Sequence, residues 1–118
     1  VETIATGGTL RSRDGATVGP LAISMIQQFS FERAFIGFSG FDADGAPMDF
    51  DLDKVLVKRA AIARTRSVIG LADAGKYLRR ASVRLAAPDA LDCLISESAP
   101  PSELGRQLSR AGVEFVKA

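Results

Sequence analysis

Hydrophobic residues along the chain fall into two patterns, stretches with helical spacing and short continuous apolar runs, and the two take turns. In "VGPLAISMIQQF" the apolar residues Leu21, Ala22, Met25, Ile26 and Phe29 recur on one face. Pro20 suits the first turn of that helix, where its missing N–H would have no partner. "DLDKVLVKRAAIARTR" predicts the longest helix, with Asp51 placed to cap its start and a stripe of Leu52, Val55, Leu56, Ala60 and Ala63. "PPSELGRQLSRAG" predicts a third, with Pro101 near its first turn and a narrow stripe of Leu104, Leu108 and Ala111. Gly112 falls where a left-handed terminating residue is expected.

Between the helices lie "AFIGF" (34–38), "SVIGLA" (67–72), "CLI" (93–95) and "VEFV" (113–116). The first three do not alternate, which predicts strands covered on both faces, as in a parallel sheet flanked by helices. "VETIAT" reads as an additional strand, "GGTLRSRDG" as a turn or ribbon after it, and "ASVRLA" (81–86) as another short strand. The alternation of strand and helix predicts an α/β fold without internal repeat or linker.

Composition narrows the function. A chain of 118 residues with 47% hydrophobic and 25% charged residues builds one modest core, so residues 1–118 read as a single domain. Fifteen basic against fourteen acidic residues leave a net charge of +1, too even to predict a nucleic-acid surface. With no histidine and Cys93 as the one cysteine, the chain by itself builds neither a disulfide nor a zinc site of the usual kind. A reduced, cytoplasmic compartment fits, and no metal or cofactor is expected. No apolar stretch approaches the ~20 residues that span a bilayer, so no membrane partner is expected. Without an imidazole, a nucleophilic Ser or Cys has no activating base, which leaves carboxylate and lysine chemistry. All three helices are committed to packing, so direct DNA reading by this chain is not expected. A strand-like beginning without Met reads as part of something longer.

In an open α/β sheet, ligands bind beyond the carboxyl ends of the strands. Ser39, Gly40, Phe41 and Asp42 follow "AFIGF"; Asp73, Gly75 and Lys76 follow "SVIGLA"; Ser96 and Glu97 follow "CLI". Hydroxyls, carboxylates, an ammonium and glycines together suit a polyol bearing an anionic group. Each residue also has a plainer use. Asp73 can cap a turn and Lys76 can point into water; Gly7 and Gly8 can form a tight turn. Lys54 and Lys58 can form a solvated basic face, Phe41 is a lid or core, and Cys93 fits a small core position.

"GGTLRSRDGATVGPLA" (7–22), "FERAFIGFSGFDADGAPM" (31–48), "VKRAAIARTRSVIGLADAGKY" (57–77) and "LDCLISESAPPSELGRQLSRAGVEFVKA" (91–118) follow one another in the order of a known family. Together they resemble the carboxyl-terminal sensor domain of the DeoR family of bacterial transcriptional regulators. The resemblance implies a mostly parallel sheet flanked by helices, the fold of ribose-5-phosphate isomerases and coenzyme A transferases. The sheet would be incomplete at the N-terminus, because the family's earlier part, with a "DSGTT"-like loop suited to phosphate, is not in this chain. It further implies a phosphorylated sugar or related metabolite as effector. DNA would be bound only through a separate N-terminal helix-turn-helix domain, also absent here, and a homo-oligomer is expected on symmetry grounds.

Carried over position by position, the family's glycines fall on Gly7 and Gly8, its "GxxG-x-D" turn on Gly37, Gly40 and Asp42, its helix lysine on Lys58, and its "LADxxK" pair on Asp73 and Lys76. The implied ligand contacts are Gly7, Gly8, Gly40, Asp42, Lys58, Asp73 and Lys76. The backbone N–H groups of Gly8 and Gly40 would approach the ligand, Asp42 and Asp73 would accept from hydroxyls, and Lys58 and Lys76 would meet an anionic group. Two positions depart from the family. Lys54 stands where a glutamate is usual, and "ISE" (95–97) replaces "ITD". The first reverses local charge and weakens an isomerase reading, which needs a placed carboxylate to move a proton, although Asp42 or Glu97 remain available. A non-catalytic sensor therefore leads, with a sugar-phosphate isomerase-like enzyme and a ligand-free oligomerisation module as alternatives.

Overall fold

In the computed structural model, which describes residues 1–118, the apolar runs become a parallel sheet and the amphipathic stretches become helices. The chain passes through β1 (Thr9–Leu10), β2 (Thr17–Val18), α1 (Pro20–Ile26), β3 (Phe31–Gly37), β4 (Gly40–Phe41), β5 (Pro47–Asp49), α2 (Leu52–Ala63) and β6 (Thr65–Leu71). It continues through β7 (Val83–Arg84), β8 (Cys93–Ser96), α3 (Ser102–Arg110) and β9 (Glu114–Lys117), with 3₁₀ turns at Ala74–Lys76 and Pro88–Ala90. The main sheet has the order β3-β6-β8-β9, every pair parallel. This is the expected α/β architecture. A small antiparallel sheet, β4-β5-β7, lies beside it, and β1 and β2 form a separate ribbon.

Strand order in the main sheet equals chain order. Parallel connections are right-handed almost without exception, so steps that all move in one direction across a sheet put every connection on the same face. The core agrees. Ile36, Val68 and Leu94 from the strands pack in one cluster with Val55 of α2 and Leu104 and Leu108 of α3. Phe38, Phe41, Ala72, Tyr77, Leu85, Leu91 and Val113 complete the same cluster. The other face carries Phe35, Ile69, Leu71, Cys93, Ile95 and Val116, aligned by the strand register. Phe35 is 61% exposed there, and Leu71 and Val116 are also exposed. The expectation of cover on both faces is therefore corrected: this chain covers one.

Asp51 caps α2, accepting from the Asp53 and Lys54 N–H groups, and Gly112 adopts a left-handed φ of 79° after α3. The apolar stripes are narrower than their spacing suggests. Leu21 in α1 and Leu52 and Leu56 in α2 are exposed, while Ala22, Ile26 and Val55 carry the packing. Residues 1–6 form no strand, because no neighbouring strand offers them a ladder. The ribbon after them is present as β1 and β2, and "ASVRLA" supplies β7. Phe41 is core, at 4% exposure. Cys93 is half-buried on the outer face and not in the core.

Candidate functional site

The carboxyl ends of β3, β6, β8 and β9 open into a cleft of about 450 Å³, a size ordinary for small-ligand sites. Gly37, Leu71, Asp73, Lys76, Ser96 and Glu97 are among its lining residues. Parallel strands deliver their ends to one edge, so three loops distant in sequence meet there. Asp73 leaves β6 in extended conformation and starts the 3₁₀ turn, its Oδ1 accepting from the Gly75 N–H at 2.9 Å. One oxygen of Asp73 is thus a cap, and Oδ2 makes no hydrogen bond within the protein. Lys76, at the end of the same turn, is half-buried and has no ion-pair partner.

Two groups hold this turn in place. Tyr77, buried in the core, donates its hydroxyl to the Ser98 carbonyl at 2.6 Å. Glu97 accepts from the Ala74 N–H at 2.7 Å and from the Ser96 hydroxyl at 3.0 Å, bridging the loops after β6 and β8. The Ala74 N–H holds the Glu97 carboxyl below the usual glutamate range.

Lys58 reaches the site from α2. Its Nζ donates to the Gly37 carbonyl at 2.8 Å and pairs with Asp49 Oδ2 at 2.6 Å. Asp49 is buried at 7% exposure and also accepts from the Ser39 hydroxyl and the Phe50 N–H, both at 2.9 Å. Burial pushes the Asp49 carboxyl up, but bonds from Lys58, Phe50 and Ser39 outweigh it and hold the carboxyl below its ordinary value. No buried side-chain polar atom lacks a partner.

The remaining candidates lie elsewhere. Asp42 caps its own loop through the Ala43 N–H at 2.8 Å and faces Arg84 at 3.4 Å, beside a separate hollow of about 300 Å³ lined by Tyr77, Arg80 and Gln107. A side chain at Gly40 would overlap the Arg79 carbonyl oxygen, so its close backbone approach serves chain packing. Gly8, with φ of 124°, lies against the Val18 carbonyl and Ala22, where a Cβ would come within 2.8 and 2.9 Å. Gly7 donates its N–H to Met25 Sδ at 3.3 Å. The structure thus brings together Asp73 and Lys76, and leaves Gly7, Gly8, Gly40, Asp42 and Lys58 outside the cleft lining, Lys58 reaching it only through the Gly37 carbonyl.

Asp49 and Tyr77 escaped the candidate set. Asp49 is one of several aspartates in "DADGAPMDFDLD", and only burial distinguishes it from the others. Lys54, the departure from the family pattern, pairs with Asp14 of the ribbon. The reversed charge therefore has an internal partner. No group of His, Cys, Asp and Glu side chains is arranged to hold a metal ion, and no helix is long and apolar enough to cross a membrane.

Among families, the DeoR C-terminal sensor domain matches residues 1–98. The glycerol-3-phosphate regulon repressor of Escherichia coli (strain K12) is 37% identical over 98 residues, covering 83% of this chain and 39% of the repressor. The HTH-type transcriptional repressor CsqR of the same organism is 29% identical over 115 residues, 98% of this chain and 44% of CsqR. The HTH-type transcriptional regulator GlpR of Haloferax volcanii is 30% identical over 111 residues, 94% of this chain and 44% of that regulator. The chain spans about two fifths of the length of these curated relatives.

Proposed function

The chain belongs to the DeoR C-terminal sensor domain family, and from that premise we propose that it is the effector-sensing domain of a transcriptional regulator. A phosphorylated sugar or related polyol phosphate binds at the carboxyl edge of the sheet and alters DNA binding by a helix-turn-helix segment outside these residues. The single observation that carries the reading is the unpaired ammonium of Lys76 sharing a cleft with the free oxygen of Asp73. The ammonium suits an anionic group, and the carboxylate suits hydroxyls. Lys58 acts from behind, fixing the Gly37 carbonyl that forms one wall.

Sensing is favoured over turnover by the relatives, which are transcriptional repressors and regulators. An isomerase must move a proton with a carboxylate next to the sugar carbonyl. Asp42 lies with Arg84 outside the cleft, Asp49 is tied by three donors and Glu97 is held by Ala74 and Ser96, which leaves Asp73 as the one cleft carboxylate with a free oxygen. As a switch, the domain needs a ligand that binds its two states unequally.

Thermal unfolding against a panel of phosphorylated sugars and their unphosphorylated counterparts tests the proposal. Binding at a hundred times the dissociation constant adds about 2.7 kcal/mol to stability. One phosphorylated member should raise the unfolding temperature, and Lys76→Ala should abolish the rise with little change in the unliganded protein. Equal stabilisation of wild type and Lys76→Ala, or none by any member, rejects the reading.

A further inference from the structure

We propose that Glu97 is a specificity-determining residue that restrains anion binding in the cleft, an inference that rests on the reading of Lys76 as the anion contact. Glu97 is exposed, yet both its oxygens are engaged, Oε1 with the Ala74 N–H at 2.7 Å and Oε2 with the Ser96 hydroxyl at 3.0 Å. Ser96 is buried at 3% exposure and so offers its hydroxyl from a fixed position. The carboxylate is therefore pinned in the lining that it shares with Lys76, only two residues beyond Ala74 in the same turn. An anionic group drawn to Lys76 meets the Glu97 carboxylate and that of Asp73 in the same space. The attraction of Lys76 for a phosphate is therefore partly offset by the Glu97 carboxylate, while a neutral polyol is unaffected by it.

The role belongs to charge and not to shape. A glutamine at this position keeps an oxygen for the Ala74 N–H and an amide for Ser96, and the bridge between the two loops persists. Its arrival removes only the repulsion, which for an exposed group corresponds to a change in affinity of up to about fivefold and weakens as salt rises.

Isothermal titration of the purified protein, Glu97→Gln and Glu97→Asp with glycerol 3-phosphate, glycerol and inorganic phosphate tests this, with thermal unfolding confirming that each variant is folded. Glu97→Gln should bind inorganic phosphate and glycerol 3-phosphate about two- to fivefold tighter than wild type at low salt. Any glycerol affinity should be unchanged, and Glu97→Asp, which keeps the charge, should not bind the anions more tightly. Anion affinity equal to or weaker than wild type in Glu97→Gln overturns the inference and leaves the sensor reading standing. Tighter inorganic phosphate without binding of glycerol 3-phosphate supports the inference and removes glycerol 3-phosphate as effector. If neither anion binds any of the three proteins, both fall.

Discussion

Asp49 shows how much one side chain arranges. Its buried carboxylate gathers Lys58, the Ser39 hydroxyl and the Phe50 N–H, and through Lys58 it steadies the last carbonyl of β3. Unfolding releases those bonds and returns the carboxyl to about 3.9. Because the folded value is lower, the unfolded chain binds more protons near that pH. The stabilisation is fully present above about pH 4 and is lost as pH falls through the folded value. Urea titrations at stepped pH should show a shallower acid loss in Asp49→Asn than in wild type. Some slope should remain, because Asp14, Asp44, Asp51 and Glu97 are also held below their ordinary values. Lys58→Met alone should cost more than the double change Asp49→Asn with Lys58→Met, since the single change strands a buried carboxylate.

At the scale of elements, the two faces of one sheet should answer substitution differently. Leu94 in β8 is fully buried under the helices, and Leu94→Ala should cost about 2–5 kcal/mol in chemical denaturation. Phe35 in β3 points to the open face, so Phe35→Lys should change stability by about 0.5 kcal/mol or less in chemical denaturation. Sequence pattern foretold the four strands of the main sheet and the three helices but not this asymmetry. The runs "AFIGF" and "SVIGLA" are apolar on both sides, which says that two covers suit them and not that one chain supplies both. The cap at Asp51 and the stop at Gly112 were legible because each is a local backbone requirement. β4 and β5, two and three residues long, are too short to show a period. In the site, Asp73 and Lys76 were legible from their place at a strand end. The tasks of Asp49 and Tyr77 were not, because they depend on partners 9 and 21 positions away that only the tertiary fold supplies.

For the molecule as a whole, Asp51 joins parts that would otherwise be independent. It caps α2 and also receives Arg11 of the ribbon at 2.9 Å, while Arg11 reaches Asp53 at 2.6 Å and Asp14 reaches Lys54. The ribbon is thereby moored to the helix that carries Lys58. The main sheet is ordered more simply, as β3, β6, β8, β9, each strand lying beside its predecessor. A chain leaving the ribosome presents these strands in that sequence, so every new one finds its template already made and only one crossover has to close at each step. Assembly can advance edgewise, with β9 as the last addition. Deleting residues 113–118 should accordingly leave β3 and β6 amides protected in hydrogen exchange, whereas Ile36→Pro, which breaks the first of these four strands, should remove protection from all four. Across these four strands, a sheet wound in one direction keeps in space the order in which they are synthesised, from β3 to β9.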